Sequence, residues 1–470
     1  MLGNTEIETL NDSNHKYLGA LVTKSGKPAE IFSETFDIIK TRLENIDSTS
    51  VRNEYKFAIY VRYLLPSLRY HLTVHELNGS DLPKLDDLCN SFLKKWLHIP
   101  RPGTLAGLYS SGSLEIRSIS HIYKECHASS FVHLKRSFDS RVQDALVSKL
   151  GREESLSRKF SIVHYSNNLY NTAVKAIEDN PTPANPVPTK KGIIKKVKDM
   201  VTDEIRSLWD DKVKDLLVQG KFLQLVHLES SCFTWKHIIY QLPRGVLQFV
   251  LNASTDSLPT LANLGRWRLR SSNNIKCPLC QNNQTLHHVL NFCKTMLEQG
   301  RYTWRHNSVL AYIFSLFNNI ENAQILADLG ANHKDSVSTI PPELIPSAQR
   351  PDLVIYWPNI KKICIVEITI PFDTNIQDAR QRKRNKYASL VNDLCDRGLS
   401  VVFYTFEIGS RGFLSPDNVQ TLKAMIQLSG SKISFKQIRN DLEKIVLCTS
   451  FSIYCSRSEP SWLEPSLFQV

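Results

Sequence analysis

Several features that are common in secreted and membrane proteins are missing from this chain of 470 residues. No apolar run is long enough to cross a bilayer, so no membrane partner is expected. The first residues, Met1 to Glu6, contain neither a basic start nor an apolar core. A secretory signal is therefore not predicted in these residues. An internal repeat at a fixed period is also missing.

The chain does not need disulfide bonds, because its length allows hydrophobic cores to hold it together. Three of its ten cysteines, Cys277, Cys280 and Cys293, cluster with metal-ligand spacing. The others are scattered, at Cys89, Cys126, Cys232, Cys364, Cys395, Cys448 and Cys455. This usage predicts a reducing compartment, either the cytosol or the nucleus.

Composition indicates a folded, basic protein. Hydrophobic residues make up 42% of the chain, and 470 residues are typical of two to four domains. The formal net charge of +12 favours a polyanionic partner, of which nucleic acid is the commonest. Solubility alone is the alternative explanation of this charge.

The first 150 residues are predicted to be mostly helical, after a strand over Lys16 to Val22. Four prolines between Asn180 and Pro188 exclude a helix interior and predict a semi-rigid extended linker. Helical patterns run from about Ile193 to Val226 and from about Arg301 to Leu329. A second proline-rich break, Ile340 to Pro346, predicts a domain boundary.

A zinc site is predicted around Cys277 and Cys280, which are followed after seven residues by His288 and after four more by Cys293. Two thiolates on a tight turn, with a histidine and a cysteine about a helical turn apart, can surround zinc tetrahedrally. His287 is an alternative ligand, although the longer spacing to His288 fits better. Four protein ligands leave no open position, so this zinc would be structural.

A second candidate site contains two acids. Asp352 stands at the start of an apolar strand that runs to Trp357, and Glu367 lies within the apolar run from Lys362 to Ile370. A carboxylate in a buried strand must be paired or bound to a metal. Two adjacent carboxylates repel unless a cation lies between them, and Mg²⁺ or Mn²⁺ prefers such oxygen ligands.

The predicted helix from about Ile376 to Arg397 places a lysine beside these acids. Lys383, Tyr387, Leu390 and Leu394 share one helical face, and a lysine on an apolar stripe favours a metal and phosphate site. Lys386 remains an alternative. A strand from Ser400 to Phe406 follows, so the order strand, strand, helix, strand predicts a small α/β sheet. A structural ion pair between an acid and a lysine is the competing interpretation.

In their order along the chain, several stretches resemble the C-terminal half of the polyprotein of site-specific non-LTR retrotransposons with a restriction-like endonuclease. Lys16 to Gly19 resembles the end of a reverse transcriptase palm. The Ser257 to Thr260 segment with Arg266 and Trp267 resembles the family's Leu-Pro-Thr segment, and the Cys-Cys-His-Cys knuckle follows. Gly300 to His306 resembles the next segment. The endonuclease signature is matched by residues 350–352, 367–369 and 383–387.

The resemblance implies that a nuclease nicks DNA and that a polymerase copies element RNA from the exposed 3′ hydroxyl. Asp352 and Glu367 would hold Mg²⁺ or Mn²⁺, while Lys383 or Lys386 would stabilise charge on the phosphate or orient the attacking water. The expected nucleic-acid contacts are Arg266, Arg350, Arg380, Arg384 and Tyr387. Thr369 stands where many related nucleases have lysine, which is consistent with a lysine on the helix.

The implied fold is a multidomain α and α/β protein, with a helical thumb and linker, a zinc knuckle and a PD-(D/E)xK-type restriction-like nuclease domain. The expected domains are residues 1–150 (palm end and thumb remnant), 151–198 (Pro/Lys-rich linker), 199–338 (helical linker domain with the knuckle at 277–293) and 339–470 (endonuclease).

A polymerase site is not expected in this chain. Only fifteen residues precede Lys16, and they contain no Asp-Asp pair. The chain is therefore expected to be a truncated element or a reading frame that begins partway through one. It would be made in the cytoplasm and act in the nucleus on a DNA target and element RNA, and self-association stays open. A nucleic-acid-binding remnant with an inactive nuclease is the alternative function.

Overall fold

The computed structural model describes residues 15–17, 20–22, 28–155, 161–179, 187–228, 238–271, 274–317, 320–329, 341, 344–345 and 349–469. The chain divides into two compact units, and the main boundary falls between Lys212 and Val213. Pro100 to Gly107 and Gly112 to Leu114 belong to the second unit. Most of the predicted proline linker, residues 180–186, lies outside the described residues, as does the predicted boundary between residues 338 and 339.

The first unit is mainly helical, and its two short antiparallel strands replace the single strand predicted over Lys16 to Val22. A π-helical turn, Tyr60–Leu64, joins the second helix to the third. In order along the chain, the elements that begin in this unit or cross its boundary are β1 His15–Tyr17, β2 Ala20–Val22, α1 Pro28–Ser48, α2 Asn53–Ile59, α3 Leu65–Val74, α4 Leu82–Trp96, α5 Ala106–Tyr109, α6 Ile119–Lys135, α7 Ser140–Ser155, α8 Ile162–Asp179 and α9 Lys190–Asp215.

Helix α4 illustrates how the sequence builds this helical core. Its buried residues recur at three- and four-residue intervals, so they form one apolar stripe. They are Leu82, Leu85, Cys89, Leu93 and Trp96. The indole of Trp96 is buried against Tyr60 of the π-helical turn, with ring centroids 6.3 Å apart.

The second unit combines helices with a four-stranded mixed sheet. A multidomain α and α/β fold is compatible with this arrangement. The elements are α10 Lys221–Leu228, α11 Val246–Ser254, α12 Leu261–Arg266, α13 Lys294–Glu298, α14 Arg301–Phe317, β3 Gln324–Ala327, β4 Leu353–Trp357, β5 Lys362–Thr369, α15 Ile376–Asp396, β6 Ser400–Glu407, α16 Pro416–Ser429 and α17 Phe435–Cys455. Among the described residues, no helix is long and apolar enough to span a membrane.

The sheet has the strand order β3-β4-β5-β6. Strands β3 and β5 are both antiparallel to β4, and β6 runs parallel to β5. A parallel pair needs a crossover connection, which α15 supplies. The predicted strands and the crossover helix are therefore present.

The helical prediction over Arg301 to Leu329 is wrong at its end, because Gln324–Ala327 forms strand β3. This strand pairs with β4, so the sheet begins before the predicted boundary at 338/339. The four residues become a strand through hydrogen bonds to a distant part of the chain, not through a local pattern.

Helices cover both faces of the sheet. Tyr387, Leu390 and Leu394 of α15 pack on one face. The other face is covered by α14, α16 and α17, for example by Ile313 and Leu442. Buried apolar side chains on both sides explain why β4 and β5 are apolar without alternation.

Candidate functional site

The sheet brings the two predicted acids directly together. Leu353 pairs with Val366, so Asp352 stands opposite Glu367 at the end of this strand pair. The backbone N–H of Asp352 donates to Oε1 of Glu367 at 3.1 Å. The backbone N–H of Ile368 donates to Oδ2 of Asp352 at 2.7 Å. Each carboxylate is thus oriented by the backbone of the neighbouring strand.

The two acids differ in burial and in proton affinity. The Glu367 side chain is completely buried, whereas that of Asp352 is 14% exposed. Burial raises the pKa of Glu367, and the negative charge of Asp352 raises it further against the opposing effect of Lys383. Burial alone would raise the pKa of Asp352, but His306 and Lys383 outweigh it and hold the pKa below its usual range.

The two candidate lysines have different surroundings. Nζ of Lys383 lies 2.5 Å from Oε2 of Glu367, and this side chain is 25% exposed. Lys386 is exposed, and its Nζ donates to the Tyr387 hydroxyl at 3.1 Å. Of the two candidate lysines, Lys383 is the one that contacts an acid.

Tyr387 is fully buried, and its hydroxyl donates to the backbone carbonyl of Arg350 at 2.8 Å. Burial and the nearby Glu367 carboxylate raise the pKa of this tyrosine well above its usual value. The side chain therefore fixes the segment that leads into Asp352. Its predicted role as a direct nucleic-acid contact is corrected, since a buried ring cannot reach a bound duplex.

Arg380 is also internal. Its guanidinium donates to Glu407 at 2.9 Å, to Asn418 at 2.8 Å and to Asp417 at 2.5 Å. Only 8% of the side chain is exposed. These contacts hold α15 to β6 and α16, so Arg380 is not carried forward as a nucleic-acid contact.

The remaining predicted nucleic-acid contacts are at the surface. Arg350 is exposed in the segment before Asp352, and Arg384 is exposed on α15. Arg266, at the end of α12, is exposed as well. Arg350, Arg384 and the exposed Lys386 thus come from the two segments that also carry Asp352 and Lys383.

Sequence reasoning missed two polar residues beside Asp352. Nε2 of His306 on α14 lies 3.2 Å from Oδ2 of Asp352. Burial tends to lower the pKa of His306, but the charge of Asp352 and hydrogen bonds to Asp352 and Asn307 outweigh it, so the pKa is raised. The backbone N–H of Asp328 donates to the Asp352 carbonyl at 2.9 Å, immediately after β3. The missed strand accounts for Asp328, whereas His306 lies in a stretch noted only for its resemblance, Gly300 to His306, to which no site role was given.

The cysteine and histidine cluster is assembled as its spacing predicted. The four ligand atoms of Cys277, Cys280, His288 and Cys293 lie within 4.8 Å of one another. Zn–S bonds of about 2.3 Å imply sulfur atoms about 3.8 Å apart in a tetrahedron. The Sγ atoms of Cys280 and Cys293 are 3.7 Å apart, and Cys280 Sγ is 3.3 Å from His288 Nε2. The donor set and its geometry fit a metal such as zinc.

Tight local hydrogen bonds build this cluster. The backbone N–H of Cys277 donates to the Asn282 carbonyl at 2.6 Å, and Gln281 adopts a φ of 62° to close the turn. A π-helical turn, His288–Phe292, carries the histidine. The alternative ligand His287 instead packs its ring on Phe292 and Phe372, with centroids 4.1 and 4.7 Å apart.

The cluster also abuts the strand that carries Glu367. Nδ2 of Asn291, in the π-helical turn, donates to the Ile370 carbonyl at 2.8 Å. Ile370 directly follows β5, three residues after Glu367. The cysteine and histidine cluster therefore supports one end of the candidate acid site.

No model of a known protein family matches the chain, and no curated protein matches it in sequence. The resemblance to retrotransposon polyproteins therefore stays a prediction from the residues themselves.

Chemically, the acid site offers hard oxygen donors next to a primary amine. Carboxylates from Asp352 and Glu367 are the ligand type that Mg²⁺ and Mn²⁺ prefer. Burial and repulsion from the Asp352 carboxylate raise the pKa of Glu367. A bound cation would relieve that repulsion. The residues present thus fit a divalent ion, and the Lys383 ammonium group lies beside one of the two carboxylates.

Proposed function

We propose that the second unit is a metal-dependent DNA endonuclease of restriction-like type, and that the chain is part of a non-LTR retrotransposon reverse transcriptase. The observation that carries this proposal is the contact of Lys383 with a completely buried Glu367, directly opposite Asp352. An acid pair of this kind at the end of a mixed sheet, with a lysine from the crossover helix, is suited to hydrolysis of phosphodiesters.

The proposed roles follow from position. Asp352 and Glu367 would hold Mg²⁺ or Mn²⁺, which would supply Lewis acidity and an activated water. Lys383 would stabilise the charge that develops on the phosphate oxygens during cleavage. Exposed Arg350 and Arg384 would hold the DNA backbone, since phosphate contacts position a duplex without reading its sequence.

The zinc cluster would have a structural role in this scheme, because its four protein ligands fill the coordination sphere. The reaction would be a nick in target DNA in the nucleus, which provides the 3′ hydroxyl for copying element RNA. Polymerisation itself is not proposed for this chain.

One observation favours the alternative, a nucleic-acid-binding remnant without cleavage. Asp352 and Glu367 already have cationic or hydrogen-bonding partners in His306 and Lys383. An acid pair balanced in this way can fold without a metal, so its presence alone does not require catalysis.

Nicking of supercoiled plasmid by the purified, zinc-loaded chain distinguishes the two functions. With Mg²⁺ or Mn²⁺ we expect open circular product, and we expect Asp352→Ala or Glu367→Ala to abolish nicking while DNA binding persists. Asp396→Ala, which removes an exposed acid from the end of α15, is the matched control. Nicking by the Asp352 and Glu367 variants at the rate of the unmodified chain would overturn the assignment of the site. DNA binding without nicking by the unmodified chain would select the alternative function.

A further inference from the structure

His306 reaches the acid site from the opposite side of the sheet to Lys383. Helix α15 packs on one face and places Lys383 against Glu367, while α14 packs on the other face and places His306 against Asp352. The acid pair is thus contacted by side chains from two helices that lie far apart in the sequence. Two independent elements converge on adjacent carboxylates.

Asp352 is held by two donors on the same oxygen. The backbone N–H of Ile368 lies 2.7 Å from Oδ2, and Nε2 of His306 lies 3.2 Å from it. The second ring nitrogen of His306, Nδ1, is 3.1 Å from Oδ1 of Asn307, which limits rotation of the imidazole. Because both donors engage Oδ2, they fix the carboxylate plane and set the direction of its other oxygen.

Helix α14 is itself anchored next to the cysteine and histidine cluster by two residues close to His306 in the sequence. Tyr302, one turn earlier, accepts from the Cys293 backbone N–H at 3.1 Å and donates to the Val289 carbonyl at 3.0 Å. Arg305 is 1% exposed, and its guanidinium donates to the Leu290 carbonyl at 2.8 Å. These bonds determine how far along its axis, and at what rotation, α14 presents His306.

We propose that His306 is a positioning residue that holds Asp352 in its orientation for a divalent ion, and that the cysteine and histidine cluster sets the place of His306 through α14. This inference rests on the proposed function in one respect, namely that Asp352 is a ligand of a divalent ion. Partners of this kind, which orient a ligand without touching the metal, typically change metal affinity or activity about 10- to 100-fold when removed.

The test compares His306→Ala with His306→Gln, whose amide N–H can replace the donor at Nε2. Mn²⁺ binding to the zinc-loaded full chain is measured by electron paramagnetic resonance, and binding that persists in Asp352→Ala is subtracted. We expect His306→Ala to weaken the Asp352-dependent binding about tenfold or more, and His306→Gln to restore most of it. Thr303→Ala, an exposed position on the same helix, should match the unmodified chain.

Nicking kinetics and zinc content complete the experiment. We expect His306→Ala to lower kcat with little change in KM for DNA, and to retain one zinc per chain. Unchanged Mn²⁺ binding in His306→Ala would overturn the inference even if the unmodified chain nicks DNA. Weakened Mn²⁺ binding in a chain that never nicks would support the inference and reject the proposed function. If the unmodified chain binds no Mn²⁺ through Asp352, both are rejected.

Discussion

Replacing Lys383 with methionine tests the ion pair at the centre of the acid site. The substitution keeps most of the side-chain volume but removes the ammonium group that lies 2.5 Å from Glu367. Glu367, whose side chain is completely buried, then loses its nearest positive charge and stays beside Asp352. The folded state must accommodate either an unpaired buried carboxylate or a protonated one.

Protonation limits the loss of stability. Removing one partner of a buried ion pair destabilises a protein by about 3–5 kcal/mol. Taking up a proton at pH 7 by a carboxyl with an ordinary pKa of 4.5 costs about 3.4 kcal/mol, at about 1.36 kcal/mol per pH unit. The free energy of unfolding of the mutant should therefore fall by about 3 kcal/mol at pH 7, and by no more than about 3.4 kcal/mol.

The sign of the pH dependence follows from the raised pKa of Glu367. A carboxyl whose folded pKa exceeds its unfolded pKa favours the folded state at low pH, and this contribution is lost as the pH rises. The penalty of Lys383→Met should therefore fall to about 1.4 kcal/mol or less at pH 5.5. The penalty of Lys383→Met should nearly vanish when Glu367 is already glutamine, because no buried carboxylate is then left without a partner.

Urea unfolding in buffer without Mg²⁺ or Mn²⁺, at pH 7 and pH 5.5, measures these differences. The matched control is Lys386→Met, because this exposed lysine contacts the Tyr387 hydroxyl and forms no ion pair with any acid that the structure describes. Its effect should stay within about 0.5 kcal/mol at both pH values. Equal losses in the two lysine variants, or a loss in Lys383→Met that does not change with pH, would refute the reasoning.

The other predictions concern the cysteine and histidine cluster and the first unit. Cys277→Ser should lose the zinc that the unmodified chain binds at about one per chain, as measured by plasma emission spectrometry, and recovery of no zinc from the unmodified chain would remove the zinc assignment. Glu125 pairs with Arg69, Arg117 and Lys198, and although burial opposes them these cations lower its pKa. That stabilisation is present above the ordinary pKa of 4.5 and is lost as the pH falls below it, so Glu125→Gln should cost about 1–2 kcal/mol at pH 7 and less at pH 4. A cost that is the same at both pH values would contradict this assignment.

Strands β4, β5 and β6 and helix α15 were predictable because their signals are local. Each strand is a short apolar run bounded by polar or turn residues, and α15 has a clear apolar stripe. The cysteine and histidine spacing likewise predicted which four side chains converge. Adjacent antiparallel strands also placed Asp352 near Glu367 once their connection was known to be short.

The wrong predictions concern residues whose structure or burial depends on tertiary packing. Residues 324–327 become strand β3 only by pairing with β4, so the local apolar pattern extended the preceding helix instead. A basic residue on a helix has the same local pattern whether it faces solvent or a buried acid. Arg380 precedes Lys383 by three positions, and that spacing could have placed it on the buried stripe.

The contact of His306 with Asp352 could not have been predicted from helical periodicity. His306 lies between buried Arg305 and half-buried Asn307 on a helix whose apolar pattern predicts only core packing. Its contact with Asp352 depends on how α14 packs against the far face of the sheet and on the hydrogen bonds that anchor that helix. Sequence periodicity defines a helical face but not the element that this face will meet.

The most direct test of the nuclease proposal is the single-turnover rate at which the full chain nicks plasmid DNA, compared with the rate of Glu367→Gln. This nearly isosteric change removes one proposed metal-binding charge and keeps the amide within reach of the Asp352 backbone N–H, which now bonds Oε1 at 3.1 Å. We predict Mg²⁺- or Mn²⁺-dependent nicking by the unmodified chain and a loss of at least about 100-fold in the variant. Equal rates, or no nicking by either protein at a concentration that saturates DNA binding, would contradict a catalytic role for this acid pair.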